Sequence, residues 1–138
     1  MYASRPAASV DQDELVAILR KSKADNPTHG ITGVLCLCLT ERIFMQVLEG
    51  GRTAVNRLYN RIATDPRHTD VELLSYEEIG ERRFAGWSMG QVNMSRLNPA
   101  LLLKYSEKPT LDPYAVSGAV SMALFDELVA TASIVGQP

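Results

Sequence analysis

What this chain lacks narrows it first. It holds two cysteines and two histidines, with no cluster at metal-ligand spacing, so nothing in it reads as a metal site. Cys36 and Cys38 alternate within an apolar run. On a strand both point to one face, too near in sequence for an ordinary bridge, and they read as buried thiols in a reducing compartment. No stretch is apolar for long enough to span a bilayer, and no basic-then-apolar leader opens the chain, so the expectation is a cytoplasmic protein without a membrane partner. An excess of one charge is missing too. The net charge is −2 with no long run of either sign, whereas a phosphate backbone requires a basic face, so nucleic acid is not an expected partner. Catalytic signatures are also absent. There is no nucleophile elbow and no Gly-rich phosphate loop followed by Lys, and Glu77, Glu78 and Glu81 form a charged edge and not an acid–base pair.

What is present is an ordinary globular composition. Apolar residues make up 46% and charged residues 22% of 138 positions, enough for one domain with a real core. Residues 1–4 read as a strand end cut short by Pro6. Residues 11–25 read as a helix with the stripe Leu15, Ile18, Leu19 and Ser22, and with Asp11, Asp13 and Glu14 at its positive N-terminal end. Asn26-Pro27 and His29-Gly30 close it. Residues 31–39 are almost continuously apolar and read as a strand buried on both faces. A turn at 40–42 makes a hairpin with a strand at 43–48. After Gly50-Gly51, residues 53–64 form a second helix with the stripe Val55, Leu58, Tyr59 and Ile62, closed by Asp65-Pro66. Two more strands are expected at 71–79 and 87–94, joined by the charged loop 80–86.

This order predicts an α+β fold, a ferredoxin-like βαββαβ arrangement with one extra strand. Two helices cover one sheet face. The other face needs a cover, which the segment after residue 95 supplies. Asn98-Pro99 opens a helix to about Tyr105, and residues 113–135 read as a longer helix, weakened at Gly118 by ~1 kcal/mol relative to Ala. That helix carries Val116, Val120, Met122, Leu124, Phe125, Leu128 and Val129, more apolar positions than one stripe hides. The expected division is 1–95 for the main domain and 96–138 for a helical cap or output segment.

Gln46 is the most informative single residue. It sits in FMQVL at 44–48, where both alternating faces are apolar, so it is buried whichever way it points. A buried amide with an unmade bond costs about 1–3 kcal/mol, so it needs partners, either in a nearby loop or backbone or in a site. Trp87 and Met89 share one face if their segment is a strand, and either pack in the core or border that site. Tyr2 and Ser4 share a face of the first strand. Asn26 is either a helix C-cap or a ligand group. Arg61, Asp65, Arg67 and His68 gather where the second helix ends, either as a solvated loop or around the polar tail of a ligand.

Together these segments resemble the BLUF family of blue-light sensors. The pieces that carry the resemblance are YAS at 2–4, NPTHGITG at 26–33, FMQVLEG at 44–50, DPRH at 65–68 and RRFAGWSM at 82–89. They stand in the family's order with suitable spacing. LKYS at 103–106 is similar to the tail of short, stand-alone members. In one respect the chain departs from the family: only Met1 precedes Tyr2, where several residues are usual, so the first strand looks clipped.

The resemblance implies a flavin held without a covalent bond between the two helices, usually FAD, with FMN or riboflavin able to substitute. Ile18 and Ile62 then sandwich the ring, with Ser22 among the binding positions. Asn26 bonds its polar edge and Arg67 its C2 carbonyl side, while Arg61, Asp65 and His68 serve the ribityl and phosphate region. Gln46 bridges Tyr2 and the flavin, and Trp87 or Met89 exchange places near it. The implied function is a blue-light photoreceptor without turnover chemistry. Tyr2 gives the flavin an electron and a proton, the Gln46 amide rearranges, and the signal passes to a downstream protein partner or a homo-oligomer interface. The alternative is a light-independent ferredoxin-like module for ligand binding or assembly.

Overall fold

The computed structural model describes residues 1–138 except 39, 94–96, 132–133 and 136–138; for 22, 23, 134 and 135 it describes the backbone alone. Apolar alternation sets the centre of the fold. Strands β2 (Thr32–Cys38) and β3 (Ile43–Glu49) form the expected hairpin, in register from Thr32 opposite Glu49 to Cys38 opposite Ile43. Val34, Cys36, Met45 and Val47 join one core cluster, and Leu35, Leu37 and Phe44 the other, as a period of two requires. The two strands approach closely at Gly33, where a Cβ would run into the carbonyl of Val47.

Strand β1 (Tyr2–Pro6) pairs antiparallel with β3 on one side and with β4 (His68–Leu73) on the other. Helix α1 (Gln12–Asp25) links β1 to β2, and α2 (Arg52–Thr64) links β3 to β4. The order β4-β1-β3-β2 is the expected ferredoxin-like core. Strand β5 (Gly90–Val92) then adds parallel to β2, and β6 (Ile134–Val135) antiparallel to β5.

Local chemistry explains the helices on the first face. The Asp11 carboxylate accepts from the Glu14 amide at 2.9 Å and caps the start of α1. A 3-10 turn at Asn26–His29 follows the helix, and Gly30 ends it in the left-handed region at φ 69°. Leu15, with Ile18 and Leu19, packs on Leu35, Leu37 and Phe44. The predicted stripe of α2 does turn inward, yet none of its residues is fully buried, because clefts flank this helix on both sides.

The opposite face is covered as expected. Helix α3 (Pro99–Tyr105) is capped by Asn98 and α4 (Gly118–Ala130) by Ser117, whose side chains accept from Ala100 N and Val120 N. Leu102, Leu111, Leu124, Phe125 and Leu128 close over Val34, Cys36, Met45 and Val47. The result is three layers, helices on both sides of one sheet.

Four boundaries differ from the sequence expectation. Strand β1 is not cut short by Pro6 but runs through it, with Pro6 opposite His68. The fourth strand is 68–73 and not 71–79, because its ladder partner β1 spans only Tyr2–Pro6: Leu73 faces Tyr2 and His68 faces Pro6. Residues 87–89 are not strand. The Trp87 amide bonds back to the Phe84 carbonyl and the Trp87 carbonyl accepts from Gly33, so this backbone is a bend, and pairing with β2 begins only at Gly90 opposite Val34. The last helix starts at 118, after a turn held by Asp112, and stops at Ala130, with strand β6 beyond it. Gly118 is therefore a first-turn residue, and a Cβ there would strike the carbonyl of Leu74. Its absence of side chain lets α4 seat against the chain leaving β4. The apolar surplus of this helix is smaller than expected, since only Val129 of the seven residues is exposed.

Candidate functional site

Strand register brings the key pair together. Tyr2 on β1 lies directly opposite Gln46 on β3, and Gln46 shares the face of its neighbours-but-one, Phe44 and Leu48, which pack under α1. Both residues are buried, Gln46 to 4% exposure. The Tyr2 hydroxyl donates to Gln46 Oε1 at 2.5 Å, and Gln46 Nε2 donates to the sulfur of Met89 at 3.2 Å. Burial pushes the Tyr2 phenol well above its usual pKa, with Tyr59 adding to the shift, so Tyr2 stays protonated and serves as donor. The amide retains a second Nε2 hydrogen and spare capacity on Oε1 for a ligand.

Above Gln46 lies a cleft of about 430 Å³ between the two helices. Ile18, Lys21 and Asp25 line it from α1, and Ala54, Arg57, Leu58, Arg61 and Ile62 from α2. Gln46 and Ile31 border it from the sheet, Asn26 and His29 from the 3-10 turn, and Asp65, Arg67 and His68 from the end of α2. Asn26 is 3% exposed, and its Nδ2 has no hydrogen-bond partner. A buried donor left unpaired costs about 1–3 kcal/mol, so this amide is waiting for an acceptor. Its backbone carbonyl holds the turn, accepting from Ile31 N at 3.0 Å.

At one end Arg67 and Asp65 form an ion pair at 2.6 Å. The Arg67 guanidinium holds the Asp65 carboxyl down to about 2. His68 Nδ1 lies 2.9 Å from Ser4 Oγ and its ring packs against Phe44. Burial lowers the His68 pKa, which keeps the ring neutral. Lys21, Arg57 and Arg61 add positive charge to the cleft.

Comparison with known proteins matches this architecture. The family model for BLUF, sensors of blue-light using FAD, covers residues 1–90. The chain belongs to the BLUF family. It is 39% identical over 88 residues to photoactivated adenylate cyclase subunit beta of Euglena gracilis, covering 63% of this chain and 10% of that one. It thus spans about a tenth of the length of the curated relatives it matches. Among solved structures it is similar to the BLUF protein BlrB in its dark state, at 32% identity and TM-score 0.76 over 95% of this chain and 92% of that one. It is also similar to BlsA in its photo-activated state, at 29% identity and TM-score 0.80 over 99% and 94%. Residues 1–90 are thus a BLUF domain, of the family of sensors of blue light using a flavin, as the motifs implied.

The residues present fit a flavin. The orphaned Asn26 amide supplies a donor for a ring carbonyl, Ile18 and Ile62 face the cleft from opposite helices, and the cations suit a phosphate-bearing tail. Of the positions expected to bind it, Ile18, Asn26, Gln46, Arg61, Ile62, Asp65, Arg67 and His68 share this one cleft. The side chain of Ser22 lies outside the described residues. Met89 touches Gln46, whereas Trp87 packs half-buried in the core cluster of the opposite face, under α3 and α4. Sequence reasoning missed Lys21, His29 and Arg57. Arg57 was findable, since it lies one helical turn before Arg61 on the same side of α2.

Among the described residues no helix is long and apolar enough to cross a membrane, and no three His, Cys, Asp or Glu side chains gather as a metal site.

Proposed function

We propose that blue light is converted into a signal by the hydrogen-bonded series Tyr2–Gln46–Met89, beneath an FAD held between α1 and α2. The carrying observation is the Gln46 amide, buried and bonded at one end to a phenol and at the other to a thioether. The cationic end of the cleft favours a flavin with phosphates, FAD or FMN, over riboflavin.

An oxidised flavin, when bound, absorbs blue light and becomes a one-electron oxidant. Tyr2 is the electron donor, and its proton moves along the 2.5 Å hydrogen bond to Gln46 Oε1. When the electron returns, Tyr2 takes a proton back from the amide, which settles with oxygen and nitrogen roles exchanged, by rotation or by tautomerisation. In the rotated form an oxygen faces the Met89 sulfur, which cannot donate, and Met89 loses its hold. Ile18 and Ile62 position the ring, Asn26 fixes its polar edge, and Arg67, Arg61, Asp65 and His68 hold the tail. The two conformations of the amide form a two-state element that a local event biases.

The output runs through residues 96–138 to a protein partner or a second copy of the chain, and the chain itself carries no turnover chemistry. Illumination of the purified protein tests the reading: a yellow protein shows a reversible red shift that Tyr2→Phe abolishes. A full shift in Tyr2→Phe overturns the donor assignment. A colourless protein points instead to a dark ferredoxin-like module, and irreversible bleaching to a flavin-dependent enzyme.

A further inference from the structure

A second cleft, of about 490 Å³, lies on the other side of α2 from the flavin site. Leu48, Arg52, Val55, Tyr59, Asn60 and Tyr76 are among the residues that line it, and Tyr2 reaches its inner wall. Tyr59 connects the two sites. Its ring meets the Tyr2 ring edge-on, with centroids 5.8 Å apart at 61°, the usual geometry of an aromatic pair in contact. Tyr2 is buried, whereas Tyr59 is half-buried and opens to the cleft.

We propose that Tyr59 is a second redox residue, which re-reduces oxidised Tyr2 and is itself re-reduced by a small, water-soluble hydrogen-atom donor entering the second cleft. This rests on the reading of Tyr2 as electron donor to the light-excited flavin. After that event Tyr2 lacks one electron and its proton lies on Gln46. One electron passes from Tyr59 to Tyr2 across the ring contact, and Tyr2 takes its proton back from Gln46 along the same hydrogen bond. Tyr59 releases its hydroxyl proton to water in the cleft and becomes a neutral phenoxyl radical. A donor such as ascorbate, an enediol, gives Tyr59 one electron and one proton and leaves as its own radical. The sum is one electron moved from ascorbate to the flavin and one proton released to water.

Direction follows from solvation. A hole on Tyr2 must be balanced by a proton kept inside the protein, on Gln46, in a place closed to water. A hole on Tyr59 discharges its proton to solvent, which holds charge far better than the interior. The transfer competes with return of the electron to Tyr2, so it drains only a fraction of excitations. It thereby couples the photocycle to the availability of reductant.

The test compares wild type with Tyr59→Phe, which keeps the ring contact and removes the hydroxyl. Under continuous blue light with ascorbate, wild type should lose its visible flavin band progressively, and Tyr59→Phe several-fold more slowly, with its dark spectrum and single-flash red shift retained. A frozen illuminated sample of wild type without ascorbate should hold a tyrosyl radical signal in electron paramagnetic resonance that Tyr59→Phe lacks. Independently of flavin, tetranitromethane on the flavin-free protein should nitrate Tyr59 and spare Tyr2, read by peptide mass. Equal bleaching rates and equal radical signals in the two proteins overturn the relay, as does protection of Tyr59 from nitration. A full flash-induced shift in Tyr2→Phe would instead remove the underlying reading of Tyr2.

Discussion

The sulfur of Met89 lies 3.2 Å from Gln46 Nε2, the far end of the amide whose oxygen accepts from Tyr2. Met89 immediately precedes β5, whose Gly90 pairs with Val34 of β2. A side chain that senses the orientation of the amide is thus one residue from a sheet strand. Thioether sulfur is a weak acceptor, so the contact is inexpensive to lose, which suits a switch. Trp87, two residues earlier, sits across the sheet in the opposite core. Exchanging it with Met89 would require the bend at 84–89 to rebuild.

Gln46→Ala should retain the flavin and abolish the reversible red shift. The substitution also leaves the buried Tyr2 hydroxyl without its acceptor, at a cost of about 1–3 kcal/mol. Illuminated difference spectra and thermal melts measure both effects. A normal light-induced shift in Gln46→Ala would show that another group carries the switch.

Asn26→Ala separates binding from folding. The Asn26 Nδ2 has no partner within the protein, so removing it should leave stability in the absence of flavin nearly unchanged. With flavin, the lost hydrogen bond should weaken binding by about 1–3 kcal/mol, roughly 5- to 150-fold in Kd. Flavin titration of refolded protein reads the affinity and urea melts read the stability. Unaltered affinity would return Asn26 to a purely structural part in the turn.

Much of this was legible in the sequence because the site rides on regular elements. The hairpin of β2 and β3 and the two flanking helices follow from apolar periodicity, and they carry Gln46, Ile18, Ile62 and Asn26 to one cleft without further information. The stretches 74–79 and 87–89, on either side of the expected loop, were not legible. The apolar residues Leu74, Tyr76 and Ile79 look like strand, but β1 is too short to pair with them. The side of the sheet to which Trp87 and Met89 belong is set by a bend and two backbone bonds, Trp87 to Phe84 and Gly33 to Trp87. Periodicity contains no signal for such contacts.

His68 and Asp65 give stability two separate dependences on pH. Burial lowers the His68 pKa from 6.5, so the folded chain binds fewer protons than the unfolded chain below that value. Stability is therefore full above about pH 6.5 and falls as the pH drops through the window beneath it. Asp65 is lowered from 3.8 to about 2, and its contribution is present above 3.8 and lost as the pH falls toward 2. Urea midpoints across this range should show both losses. His68→Gln should flatten the upper loss, whereas Asp65→Asn should remove the lower one and deepen the upper, because the Asp65 carboxylate raises the His68 pKa. An upper loss that persists in His68→Gln would assign it to another group.

The output prediction concerns residues 96–138, which two routes tie to the switch. Strand β5, next to Met89, pairs with β6, with Gln91 opposite Val135 and Val92 opposite Ile134, so a displaced β5 pulls on the end of the chain directly. On the other edge, Arg5 of β1 stacks on the Tyr114 ring at 4.1 Å, and the Tyr114 hydroxyl donates to the Asp70 carbonyl at 2.8 Å, so the segment before α4 is fastened to the strand that carries Tyr2. A cation–π contact of this exposed kind is worth about 0.5–1 kcal/mol, and β6 is short, so both fastenings are weak enough for a local switch to release. Light should therefore raise amide exchange in 112–117 and in β5 and β6, while β2 and β3 keep their protection. Tyr114→Phe, which removes the hydroxyl bond and keeps the ring, should raise dark-state exchange in 112–117 toward the lit level. Light scattering on dark and illuminated samples would show whether the loosened segment also changes assembly with a second copy. Equal exchange across 96–138 in both states would exclude this segment as the output and move the signal to the 80–86 loop or to the exposed faces of α1 and α2.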